Sequence, residues 1–301
     1  MKIAGMILAA AALALPSLAQ ESTKASAAKQ PITAQQVIDR IKANVGIPWM
    51  AETVDTFKAG DPQTPLTGIA VTMMATMDVL QRAAANRENL IISHEPTFYE
   101  HEDHASELPQ REKDPVLAAK RAFIEKNHLV VWRFHDHQHR MKIDQVQQGN
   151  VRKLGWEKYQ DAGNQYLFTI PETTVDKLAA ELKTKLGISA MRVVGDRSMK
   201  VSRLAFSPGA AGAGREIGAL EIPDVEVLIV GETREWETVE YVADAVSEGH
   251  QKALIVLSHV PSEQSGMEEC TQWLRTFVTE VPVEFVGTPD PFSEGFPRKR
   301  K

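Results

Sequence analysis

Leu90-Ile91-Ile92-Ser93-His94-Glu95-Pro96 and Ile255-Val256-Leu257-Ser258-His259-Val260-Pro261 nearly repeat each other across the chain. Each is an apolar run of strand length that stops at Ser-His, and each follows a segment with helical spacing. The first is preceded by the strand pattern Gly68–Thr72 and by Met77, Leu80, Ala83 and Ala84 at helical intervals. The second is preceded by Val225–Val230 and by Trp236, Val239, Val242, Ala243 and Val246. The order strand, helix, strand, His therefore occurs twice, and each unit implies parallel strands joined by a right-handed crossover. Ligands of open α/β sheets collect at the carboxyl ends of the strands. The repeat predicts an α/β protein with two pseudo-symmetric lobes, mixed and mainly parallel sheets, and one site between His94 and His259.

A third strand, Leu129–Phe134, follows a helix expected at Pro115–Lys126 and also runs into histidines: His135, His137 and His139. In extended backbone these three would alternate onto one face. His259 and Glu263 are four residues apart, with Pro261 suited to a first helical turn, so both can reach one place. Imidazole and carboxylate together suit zinc, iron or manganese. His101 and His104, in an acidic loop, read as solvated, and His128 and His250 as surface residues.

The 301 residues are 43% hydrophobic and 25% charged, ordinary for a globular protein. A net charge of −6 argues against nucleic acid as a partner, which requires clustered positive charge. Lys2, the apolar run Ile3–Leu15 and the small residues Ser17 and Ala19 read as a signal peptide over residues 1–19, cut before Gln20. The expected location is therefore periplasmic or secreted, with no membrane span after cleavage. Residues 20–32 read as a flexible linker, 33–150 as the first lobe, 151–199 as a connecting segment, 200–290 as the second lobe and 291–301 as a basic tail. Thr33 is placed to cap a helix with Val37, Ile38 and Ile41 on one face. Cys270 is the only cysteine, which leaves no intramolecular disulfide and reads as a small buried hydrophobe. Neither Ser93 nor Ser258 sits in Gly-x-Ser-x-Gly. The turn Pro208–Gly214 lacks the ending of a phosphate-binding loop and reads as a tight turn before a helix.

Three segments resemble the Nif-three-like proteins (NGG-one interacting factor three): Glu88–Pro96, the run from Val194 through Ala205 into the Gly-rich turn, and Ser258–Met267. The resemblance spans about Thr33 to Pro289. It implies a dinuclear centre of two divalent metal ions held by three His, one Asp and one Glu. Carried over, the metal ligands are His94, Glu95, His139, His259 and Glu263. Glu95 stands where the family has a second histidine, and His139 where it has an aspartate, so three imidazoles and two carboxylates remain. Which carboxylate bridges is open, with Asp136 as an alternative. His135 and His137 are the candidates to orient substrate or shuttle protons. The resemblance implies a metal-dependent hydrolase of a small molecule, of cyclohydrolase or phosphoester type, and a homo-oligomer, with a hexamer as the family's assembly. Export makes GTP an unsuitable substrate. The alternative is a non-catalytic metal-binding scaffold or interaction protein.

Overall fold

A computed structural model describes residue 1 and residues 31–103 and 113–292. The expected signal peptide, most of the linker, His104 and most of the basic tail lie outside the described residues. No helix among the described residues is long and apolar enough to cross a membrane.

Helix α1 (Ala34–Asn44) opens the described fold. Its cap is reciprocal, as Thr33 was placed to provide: Gln36 N–H donates to Thr33 Oγ1 and Thr33 N–H to Gln36 Oε1. Strands β1 (Phe57–Ala59) and β2 (Ile69–Thr72), helix α2 (Met77–Ala85), strand β3 (Leu90–Ser93), helix α3 (Pro115–Lys126) and strand β4 (Val130–Arg133) follow. Next come α4 (Asp136–Arg140), α5 (Gln145–Leu154), β5 (Gln160–Asp161), β6 (Asn164–Thr174), α6 (Val175–Leu186) and β7 (Arg192–Val194). The chain continues through β8 (Lys200–Ser207), α7 (Ala213–Leu220), β9 (Val227–Val230), α8 (Glu240–Ser247), β10 (Ala253–Val256), α9 (His259–Arg275) and β11 (Val283–Phe285).

The first sheet has the order β1-β4-β3-β2-β11, with β4, β3, β2 and β11 parallel. The second has the order β5-β6-β8-β9-β10-β7, parallel only across β8, β9 and β10. Both Ser-His strands are central, and every residue of β3 and β10 is buried, as parallel strands covered on both faces require. The predicted architecture of two mixed α/β sheets is present, but only the first is mainly parallel; in the second, three of the five strand pairings are antiparallel.

The segment 151–199 does more than connect. It supplies β5, β6 and β7 of the second sheet together with α6. Conversely, α9 and β11 follow the second sheet in sequence but belong with the first. Met267, Cys270 and Leu274 of α9 pack into the core that holds Val37, Ile38 and Ile41 of α1. Cys270 is a buried hydrophobe, as expected. Helix α5 faces the other way, sending Val151 and Leu154 into the core under the second sheet. Where α5 crosses α9, a Cβ on Gly149 would overlap the Ser265 backbone, and one on Gly266 would overlap Val146. Backbone contact on this scale tolerates glycine only. The crossing fixes both helix N-termini beside the ends of β3, β4 and β10.

Candidate metal centre

Three strands deliver histidine to one place: His94 just past β3, His135 just past β4, and His259 just past β10. The backbone between His135 and Arg140 is helical, not extended as expected. In a helix, residues four apart share a face and residues two apart do not. His135 and His139 therefore point together, with ring centroids 4.9 Å apart, while His137 points away.

A remote carboxylate makes this short helix. Asp55, fully buried, accepts the His135 N–H at 2.6 Å, the Asp136 N–H at 3.0 Å and the His137 N–H at 2.9 Å. It also accepts the His137 Nδ1–H at 2.7 Å. These are donors that a helix N-terminus leaves unsatisfied. With Nδ1 donating, His137 Nε2 accepts from Met50 N–H at 2.9 Å, and its ring stacks on Trp49 with centroids 3.6 Å apart. Both ring nitrogens are committed and buried, which corrects the expectation that His137 handles substrate or protons. Asp136 is also turned from the cluster, taking Thr53 Oγ1 and Val54 N–H on one oxygen and His135 Nδ1 on the other. It is no candidate for a bridge.

His94, His135, His139 and His259 share one arrangement, in which Nδ1 meets an acceptor and Nε2 faces inward. His94 Nδ1 meets Phe134 O and Gln138 Oε1 at 3.1 and 2.9 Å. His135 Nδ1 meets Asp136 at 2.9 Å, His139 Nδ1 meets Asp144 at 3.0 Å, and His259 Nδ1 lies 3.4 Å from Glu232 Oε1. In a neutral ring an acceptor at Nδ1 fixes the tautomer and leaves Nε2 as a lone pair. His94 Nε2 and His139 Nε2 stand 3.1 Å apart, so a proton or a cation must lie between them.

Two buried carboxylates complete the group. Glu263 Oε2 is 3.0 Å from His259 Nε2 and 3.5 Å from His94 Nε2, and its Oε1 is 3.9 Å from His139 Nε2. Glu95 Oε1 is 3.3 Å from His259 Nε2 and 3.7 Å from His135 Nε2. Its other oxygen is held by Arg133 at 3.3 Å. That guanidinium is fully buried and also donates to His94 O and His101 O. Gly209, at φ +66°, makes room for Glu263, since a Cβ there would overlap Oε1. The Gly-rich turn does precede α7, as expected, and it also walls the cluster.

The electrostatics follow from this crowding. Burial pushes His94 down to about 4, helped by the neighbouring His135. Burial alone would raise Glu95, but His259, His94 and His135 together hold it well below the usual carboxylate range. Burial opposes the charge on His259 too, yet Glu232, Glu263 and Glu95 outweigh it and lift His259 to about 12. His139 goes up to about 9, where Asp144 overcomes the burial. In the absence of a cation, protons on His259 and His139 balance the two carboxylates.

All five expected ligands are thus brought together, with His135 beside them. Ligand atoms of His94, His135 and His139 lie within 4.8 Å of one another, as do those of His94, Glu95 and Glu263. Donor types, tautomers and spacing fit divalent metal. A cavity of about 390 Å³ lined by Lys58, Phe98, Arg121 and Leu129 includes none of these residues. Asp55, Arg133, Asp144, Tyr166 and Glu232 were not read from sequence. Of these, only Asp144 carries a local signal, as a cap residue ahead of α5.

No curated protein matches the chain. Among solved structures, Staphylococcus aureus hypothetical protein SA1388 superposes with a TM-score of 0.70 at 18% identity, over 88% of this chain and 99% of that one. A Bacillus cereus protein related to NIF3 gives 0.68 at 14%, covering 89% and 100%. Reduced HcgD from Methanocaldococcus jannaschii gives 0.56 at 12%, covering 84% and 97%. The family model for Duf34/NIF3 (NGG1p interacting factor 3) matches residues 33–291, and the chain belongs to that family.

Proposed function

We propose that the cluster binds two divalent cations and serves a metal-dependent hydrolase acting on a small molecule. The observation that carries this reading is the convergence of four Nε2 lone pairs on two buried carboxylates. Glu263 reaches both sides of the group, with Oε1 toward His139 and Oε2 toward His259 and His94. It is therefore the bridging carboxylate of the proposal. His94, His135, His139, His259 and Glu95 would supply the remaining donors for the two cations. His135 moves from the substrate-orienting role expected of it to ligation. Zinc, iron and manganese all suit these donors.

Bound cations would supply an activated water at neutral pH and polarise a substrate oxygen. The chain's own residues do the rest. Arg133 fixes the direction of Glu95, Gln138 that of His94, and Glu232 that of His259 at the more exposed side of the cluster. A cyclohydrolase or phosphoester substrate remains the chemistry implied by the family resemblance. Export is proposed from residues 1–19, self-association from the family's assemblies, and exclusion of nucleic acid from the net charge of −6.

Elemental analysis of the purified chain, with anomalous scattering from its crystals, tests the centre. The expected result is two peaks within about 4 Å, the usual spacing of two-metal sites; one peak or none overturns it. The hydrolase reading is tested by screening the metal-loaded protein against esters, phosphoesters and amides. Activity abolished by Glu263→Ala supports the reading, and absence of turnover by the loaded wild type removes it.

A further inference from the structure

We propose that Asp144 and Tyr166 are positioning residues that hold His139 in its ligating tautomer, an inference that rests on the metal-centre reading above. Asp144 is 1% exposed, and its two oxygens have separate tasks. Oδ1 caps α5, accepting Val146 N–H at 2.8 Å and Gln147 N–H at 3.4 Å. Oδ2 accepts the His139 Nδ1–H at 3.0 Å and the Tyr166 hydroxyl at 2.8 Å. Tyr166 comes from β6 of the second sheet, and its neighbour Gln165 accepts the Asp144 N–H at 3.1 Å. Burial and the Asp144 charge both push the Tyr166 phenol up, so it stays a donor. A histidine carried by the first sheet is therefore braced from the second.

The isosteric change Asp144→Asn separates positioning from mere support. Asparagine caps helices as well as aspartate does, so Oδ1 keeps its bonds to α5. Its NH2 then replaces Oδ2 and faces the His139 Nδ1–H and the Tyr166 hydroxyl, donor against donors. His139 must accept at Nδ1 and move its proton to Nε2, the atom aimed at His94 and Glu263. Flipping the amide restores His139 but turns the NH2 against Val146 and Gln147 N–H. Partners behind metal-ligating histidines set tautomer and affinity, and their loss costs about 10- to 100-fold in metal binding.

The experiment is cobalt(II) titration of the full chain, read by visible ligand-field absorption and by competition with a chromogenic chelator. Melting of the metal-free proteins is recorded alongside. Asp144→Asn should lower cobalt affinity about 10- to 100-fold and change the absorption bands, beyond any drop in the metal-free melt from the lost Asp144–His139 ion pair. Tyr166→Phe leaves the Asp144–His139 bond in place and should cost less than about 10-fold, and it carries the test if Asp144→Asn does not fold. A purely structural role would lower the metal-free melt and leave affinity and bands unchanged. That result overturns the inference while the metal-centre reading stands. Absence of cobalt uptake by wild type overturns both.

Discussion

Replacing Asp55 with alanine should unfix the histidine segment from a distance of 80 residues in sequence. The carboxylate accepts four hydrogen bonds of 2.6 to 3.0 Å, three of them from backbone N–H groups of His135, Asp136 and His137. Its side chain is completely buried, so the vacated site admits little water. An unsatisfied buried donor costs about 1–3 kcal/mol, and bonds to a charged acceptor are at the strong end. The losses are not additive because the short helix can partly unwind to find other partners. A total of about 3–5 kcal/mol follows, in the range for breaking a buried polar network. For a chain of this size each kcal/mol moves the melting temperature by about 2–4 °C, so a drop of roughly 10 °C is expected. Asp55→Asn keeps one acceptor oxygen and should lose about half as much. Both variants should also bind metal more weakly, since His135 and His139 are carried by the unwound turn. Thermal and urea melts of metal-free protein, followed by metal titration, measure the two effects. A loss below about 1 kcal/mol with unchanged metal affinity would refute the assignment of α4 to Asp55.

Ser258, immediately before His259, sits at φ +81°, ψ 152°, a region suited to glycine. Ser258→Gly should raise stability by about 1 kcal/mol in urea unfolding; a destabilised variant would mean that the serine side chain holds the turn. Gly209→Ala pushes a methyl into Glu263 Oε1 and should cost about 1–3 kcal/mol by overpacking, with loss of bound metal by elemental analysis; wild-type metal content would count against Glu263 as a ligand. Glu88 is lifted to about 7, first by burial and then by the nearby Glu284. A raised carboxylate contributes stability that is complete below about pH 4.5 and is lost as pH rises through about 7. With screening allowed for, about 1–2 kcal/mol is at stake. Glu88→Gln should therefore gain on wild type between pH 5 and pH 8, and parallel pH–stability curves for the two proteins would exclude the effect.

The parts of the fold legible in sequence are those in which local pattern and tertiary environment agree. Pro115–Lys126 was expected as a helix and has those bounds, because a capping residue and apolar spacing act within the segment. The two Ser-His strands were legible because buried parallel strands are continuous apolar runs. His-Asp-His-Gln-His carries no such pattern, being too short for any period, and its conformation is dictated by Asp55 from outside. Strand β6 extends past Ile170 to Thr174. Pro171 hides the extension, since proline interrupts a ladder; the pairing with β8 shifts register between Thr169 and Thr173 and resumes. The return of β11 to the first sheet has no local signal, since nothing in three residues states which sheet they join.

The candidate site was legible as residue types and illegible as a network, and that division has a physical cause. A histidine at a strand end is visible in sequence, while the acceptor behind its Nδ1 comes from wherever the fold brings one. Glu95 and His139, the two positions that depart from the family pattern, are held as closely as the rest. Arg133 donates to Glu95, and Asp144 accepts from His139. Neither residue is a leftover pointing into an apolar core. Gathering four imidazoles and two carboxylates in one largely buried place opposes folding, because each charged form loses water and like charges face one another. Residues serving only the core would be replaced at no loss by apolar side chains of similar volume. Protons on His139 and His259 offset part of the expense and a cation of matching charge would offset more, which makes metal binding the simplest reason for this arrangement.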